Sequence, residues 1–413
     1  MAYPFSEVNK RIFYACQAVL VKERNTQTGD TSPEDGTYLT GVTSVGINGS
    51  FPSVSLTDIG RAQRKYHFYA PQDFDITIER QIDVSSDFFY KIDPSDYLAA
   101  DASTYQNTHI LSAKNIGVQG EVNSAGDSLR NYDITVLYGA DQFNRVGSNE
   151  ADGGDGNKVR SVPYRNCLIT GISYNIAVDG ITESITLITR GVTYNTEQTA
   201  TSYTLPTSAQ SGNTIKRSDL DLLESSPYSV LPTEVTTMFK AQDSSGGFDK
   251  LDGEFILGIN SISIDVGIDY EIKDVGQWKG SIDQGKQNVW RYVNLPVAIT
   301  AAFTGTVRQP FPQSLPITDT TFSAANGVTS STDWTKVDRE IKLVAKTYPS
   351  GPTATYFVWD LGKRNYLTDF SFSGGDTGGG NLEATMSYQN DASDIVLVKD
   401  TNVHDLPAPT SPY

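Results

Sequence analysis

Few side chains in this sequence could carry a reaction, and their spacing decides how far each can be taken. The three histidines, His67, His109 and His404, have no second histidine or cysteine at metal-ligand spacing, so no metal site is assigned. The two cysteines, Cys16 and Cys167, are too few for a disulfide framework and are expected to be reduced core residues. Residues 280–287 (GSIDQGKQ) copy the glycine frame of a phosphate-binding loop. Gln287, however, stands where a serine or threonine hydroxyl would hold magnesium, and no strand–loop–helix pattern surrounds it, so a plain loop is expected. The glycine run at 374–380 (GGDTGGG) lies between two strand patterns and reads as a turn. Residues 152–157 (DGGDGN) offer oxygens for calcium but lack the closing glutamate of an EF-hand loop. Asp75 and Glu79 fall on one phase of a strand pattern, as a solvated face would place them, rather than as an acid–base pair. No Gly-x-Ser-x-Gly elbow occurs. No catalytic residue, cofactor or metal ligand is assigned, and the chain is not expected to be an enzyme.

What the chain does carry is an ordered set of blocks that returns. Residues 38–82 contain GVTSVGI at 41–47, DIGR at 58–61, YHFYAP at 66–71 and the alternating FDITIE at 74–79. Residues 255–307 contain, in the same order, GINSISI at 258–264, DVGQ at 274–277, YVNLP at 292–296 and ITAAFTGTV at 299–307. Farther on, LITGISY at 168–174, a turn at Asp179-Gly180 and ESITL at 183–187 are matched by NYLTDFSF at 365–372, the glycine run and LEATMSY at 382–388. NYDITVL at 131–137 is matched by DREIKLV at 338–344. Blocks kept in one order point to an internal duplication. The repeat signature is Gly41, Ser44, Gly60, Pro71 and Glu183 in the first copy, set against Gly258, Ser261, Gly276, Pro296 and Glu383 in the second.

Composition sets the class. The 413 residues suffice for two to three domains, and two similar halves fit that length. With 22 Tyr, 17 Phe and abundant Thr, Ser, Val, Ile and Gly, strands and turns are favoured over helices. Lys plus Arg is 32 against 49 Asp plus Glu, a formal charge of −17, which disfavours a face that holds nucleic acid. No stretch reaches the ~18 apolar residues of a membrane helix, so a soluble protein made in the cytoplasm is expected.

The elements that would position the blocks follow from the local pattern. Residues 11–22 (RIFYACQAVLVK) read as a buried strand, and 93–100 (DPSDYLAA) as the start of a helix, with Asp at the cap and Pro at the first helical position. Long connections at about residues 49–66 and 265–291 separate paired strands and are candidate interaction arms. The second arm holds an insert at 279–287, with Lys279, Asp283 and Lys286 as candidate stacking residues. Residues 196–218 are polar and poor in aliphatics, which places a boundary near residue 205 and domains at 1–205 and 206–413.

With these blocks laid out, the chain resembles the tail tube (major tail) proteins of tailed bacteriophages. The resemblance lies in GVTSVGI followed by DIGR, in LITGISY with Asp179-Gly180 and Glu183, and in their second-half counterparts, and it covers nearly all of both halves. It implies a mainly β fold of two tandem tail-tube-like β-sandwich or half-barrel domains, each with at most one short helix and a long stacking loop. It also implies self-assembly into rings stacked as a tube within the virion tail, with three two-domain chains taking the place of six single domains. DNA would pass through the lumen without specific binding, and the other partners would be tail proteins such as a sheath, terminator or baseplate. A different tail or baseplate ring, an injection-device tube, or a carbohydrate-binding β-sandwich are the alternatives.

Overall fold

In a computed structural model of the protein, the described residues are twenty strands together with residues 39–41, 82, 89, 361, 362, 364 and 374. The first half supplies β1 (Ile12–Arg24), β2 (Thr37–Tyr38), β3 (Val42–Ser50), β4 (Ser53–Leu56), β5 (Tyr66–Tyr69), β6 (Asp73–Gln81), β7 (Thr108–Ser112), β8 (Asn131–Ala140), β9 (Arg160–Ala177), β10 (Gly180–Thr189) and β11 (Gly191–Val192). The second supplies β12 (Glu234–Ala241), β13 (Asp249–Lys250), β14 (Leu257–Lys273), β15 (Trp290–Val307), β16 (Arg339–Thr347), β17 (Thr355–Asp360), β18 (Asn365–Ser373), β19 (Glu383–Asn390) and β20 (Asp394–Asp400). The fold is mainly β, with no α-helix among the described residues. The helix start at 93–100 and the boundary near 205 lie outside them.

Eight strands form one antiparallel sheet in the order β3-β6-β10-β9-β14-β15-β19-β18. Four come from each half, and the join is β9 to β14, running from Ser261↔Ala177 to Gly267↔Gly171. Period-two patterning explains why these segments are strands and which face they bury. In β6, Phe74, Ile76, Ile78 and Arg80 point inward while Asp75 and Glu79 are exposed. Opposed residues in antiparallel strands share a face, so Ile78, Ile185, Ile172, Val266 and Ile299 form one buried row across five strands and across the join. A charge in this row would face the cost of desolvation.

Behind this sheet, β8 pairs with β1 and with the first part of β9, and β1 also pairs with β2. Residues 132–137 of β8 are buried on both faces, as a strand sandwiched between layers must be. In the second half β16 lies between β12 and β17, and β17 pairs with β20. β7, from the first half, adds to the edge of β20, from the second. The halves therefore share backbone ladders at two places. They also share a core: the rings of Tyr174 and Trp359 meet edge-on, with centroids 5.8 Å apart.

The long connections differ from expectation. The first contains a small hairpin, β4 with β5, paired from Ser53↔Tyr69 to Leu56↔Tyr66. The second is strand at 265–273 and 290–291: β14 and β15 remain paired out to Lys273↔Trp290, and 274–289 lie outside the described residues. The alternation of DVGIDYEIK at 265–273 carries the strand on into the segment expected to be a loop. Pro296, which has no N–H to donate, sits at the irregularity between Gly267↔Ala298 and Asp269↔Asn294.

Candidate functional site

The eight-stranded sheet has a second face that is polar over most of its described part; at one end Ile188, opposite Asp75, and Leu168, opposite Ile188, bring apolar side chains to it. One row crosses all eight strands as Ser44, Glu79, Ser184, Ser173, Asp265, Thr300, Gln389 and Tyr366. The next reads Gln81, Thr182, Asn175, Ser263, Ala302, Ser387 and Asp369. On the other side lie Gly46, Thr77, Thr186, Gly171, Gly267 and Ala298. Small side chains, hydroxyls and carboxylates fill these rows, and no lysine or arginine stands in any of them. Asp75, Asp269 and Glu383 extend the same face.

Local contacts hold the face in shape. Ser44 donates from its hydroxyl to the Glu79 carboxylate at 2.8 Å, and Thr304 and Thr385 share a hydroxyl hydrogen bond at 3.1 Å. Partial burial raises the Asp265 carboxyl above its usual range. β-Bulges recur at matching places: at Thr43 in β3 and Asn260 in β14, and at Thr170 in β9 and Thr368 in β18. The last two make the same bond across the strand, from Thr170 Oγ1 to the Thr186 carbonyl at 3.2 Å and from Thr368 Oγ1 to the Ser387 carbonyl at 3.0 Å.

Beneath the face, the first half contains a buried ion pair. Arg80 Nε donates to Glu183 Oε2, and the Phe89 N–H is shared between the two Glu183 oxygens at 3.1 and 3.3 Å. Arg80 is 1% exposed and Glu183 0%. Glu183 thereby ties the chain at Phe89 to the middle of the sheet, and Phe89 packs on Tyr132 with ring centroids 5.5 Å apart. Tyr174, opposite Glu183 in the register, has its phenol pushed well above the usual value, first by burial and then by the Glu183 charge.

The sequence-derived signature falls apart into different roles. Gly41 has φ +73°, and a Cβ there would lie 2.1 Å from the Gln81 carbonyl; Gly258, its counterpart, is an ordinary strand residue opposite Thr306. Ser44 and Ser261 both follow a bulge and both face the polar side. The match of Glu183 with Glu383 slips by one residue. With the bulges as anchors, Glu183 opposite Arg80 corresponds to Ala384 opposite Gly305, whereas Glu383 lies on the polar face opposite Thr306. A one-residue slip in a strand exchanges faces. Asp75 and Glu79, four residues apart on one strand, are separated by about 13 Å, too wide for a glycosidase pair. Gly60, Pro71, Gly276, Lys279, Asp283 and Lys286 lie outside the described residues. Arg80 was missed by sequence reasoning, although its place on the apolar phase of FDITIER was the available signal.

No family model and no curated protein matches this chain.

Proposed function

We propose that the chain is the tube subunit of a bacteriophage tail, and that the polar face of the eight-stranded sheet lines a channel through which DNA passes. The observation that carries this reading is the set of rows free of lysine and arginine, in which Glu79, Asp265 and Asp369 are the charged groups. Cations on a surface hold DNA by releasing the counterions condensed on its phosphates; a wall of carboxylates and hydroxyls offers no such exchange, so a polyanion can slide past it.

The halves 1–205 and 206–413 act as diverged copies of one tube domain. This is supported by their shared strand order, β3-β6-β10-β9 and β14-β15-β19-β18, and by bulges at matched positions. Three chains then close a pseudo-sixfold ring, rings stack into a tube, and other tail proteins cap or sheathe it. Twenty-four strands at ~4.8 Å spacing give a backbone circle of about 115 Å, or about 37 Å across before strand tilt widens it, which clears a B-form duplex.

Electron microscopy of the purified protein tests this. Rings or tubes with an open centre are expected; particles that remain single chains at high protein concentration would refute it.

A further inference from the structure

The sheet that joins the halves has two outer strands. β3 pairs with β6 on one side; β18 pairs with β19 along its length and meets β16 only at Arg339↔Asn365. No further ladder on either strand is present among the described residues.

The join inside the chain shows what such edges accept. There β14 lies against β9 with Ile264 opposite Tyr174, Asp265 opposite Ser173 and Val266 opposite Ile172. β3 holds the same place in its quartet as β14, and the bulges at Thr43 and Asn260 fix the alignment, so that Ile47 takes the place of Ile264. β18 holds the place of β9, and the bulges at Thr170 and Thr368 bring Phe372 to the place of Tyr174 and Ser371 to that of Ser173.

An independent observation agrees. Ile47 is the exposed large hydrophobic among the described residues, at 36%, whereas Ile264 is 0% exposed. Ile47 opposes the buried Ile76, so it lies on the core phase of the sheet, and its exposure comes from its position on the outer strand. At the other end of the sheet Leu367 and Phe370 are half-buried. Apolar surface at both ends of one sheet, in register-matched places, fits a head-to-tail contact between identical chains.

We propose that β18 of one copy pairs antiparallel with β3 of the next, with Gly46 opposite Ser373, Ile47 opposite Phe372, Asn48 opposite Ser371, Gly49 opposite Phe370 and Ser50 opposite Asp369. The pairing rests on the ring proposed above and gives it an interface and a register. It repeats between chains the contact that β9 and β14 make within one, so the polar rows run unbroken around the ring.

Disulfide trapping distinguishes the register. Directly opposed residues have Cα atoms about 4.5–5.5 Å apart, within the reach of a disulfide, whereas diagonal neighbours lie about 7–8 Å apart. Tubes of the double variant Asn48→Cys/Ser371→Cys should give covalent dimers and closed trimers on non-reducing gels after mild oxidation. Tubes of Asn48→Cys/Asp369→Cys and Asn48→Cys/Ser373→Cys should give few, as should either single variant beside native Cys16 and Cys167. Preferential crosslinking of a displaced pair, or none from any pair in intact tubes, would overturn the pairing while leaving the tube. A wild-type chain that never assembles would overturn both.

Discussion

Removing the charge of Glu183 while keeping its shape tests the anchor beneath the sheet. Glu183→Gln preserves the volume and one acceptor for the Phe89 N–H, but removes the Glu183 charge that faces the Arg80 guanidinium, which is 1% exposed. Breaking a buried pair from one side costs about 3–5 kcal/mol, because the remaining charge stays out of water. The double variant Arg80→Met/Glu183→Leu removes both charges together and takes the acceptor from the Phe89 N–H, a cost of about 1–3 kcal/mol. It should therefore be more stable than the single variant. Urea unfolding followed by tryptophan fluorescence measures both, with Trp359 reporting on the Tyr174 neighbourhood. A Glu183→Gln cost below about 1 kcal/mol, or a double variant no better than the single, would refute the reasoning.

The polar rows make a second prediction: wild-type protein should not be retained on duplex DNA at about 0.15 M salt, whereas Glu79→Lys/Asp265→Lys/Asp369→Lys should bind it with affinity that falls steeply as salt rises; equal retention of both would count against the rows as the DNA-facing surface. Burial raises the Asp265 carboxyl, so the folded state holds that proton more tightly than the unfolded chain; the stabilisation is fullest at low pH and is lost as pH rises through the folded value. Asp265→Asn should thus gain in melting temperature relative to wild type as pH rises above the ordinary carboxylate value, and parallel profiles would deny that role to Asp265. Deleting residues 279–287 should leave the fold intact and impair tube elongation, and normal tubes from that deletion would remove the insert from the stacking contact.

Much of the sheet was legible because strand alternation is a local signal. GVTSVGI, FDITIE, GINSISI and ESITL each show their phase in sequence, and each lies in a strand of the expected kind. Register across strands is not local. The bulges at Thr170 and Thr368 anchor it, and no composition rule marks them; without them two glutamates align by identity alone, whereas Ala384 holds the place that matches Glu183. The ion pair was legible in principle. Arg80 follows Phe74, Ile76 and Ile78 on one phase, and Glu183 lies in phase with Ile181, Ile185 and Leu187, so two opposite charges each stand where an apolar residue belongs. Their contact spans 103 positions and needs the β6–β10 pairing to become visible.

A cryo-electron-microscopy reconstruction of the assembled protein tests most directly whether the polar face lines a channel. Three chains per ring, one continuous inner sheet, and Glu79, Asp265 and Asp369 facing the channel are expected. A lumen lined by lysine and arginine, or a ring in which these three acids face outward, would contradict it.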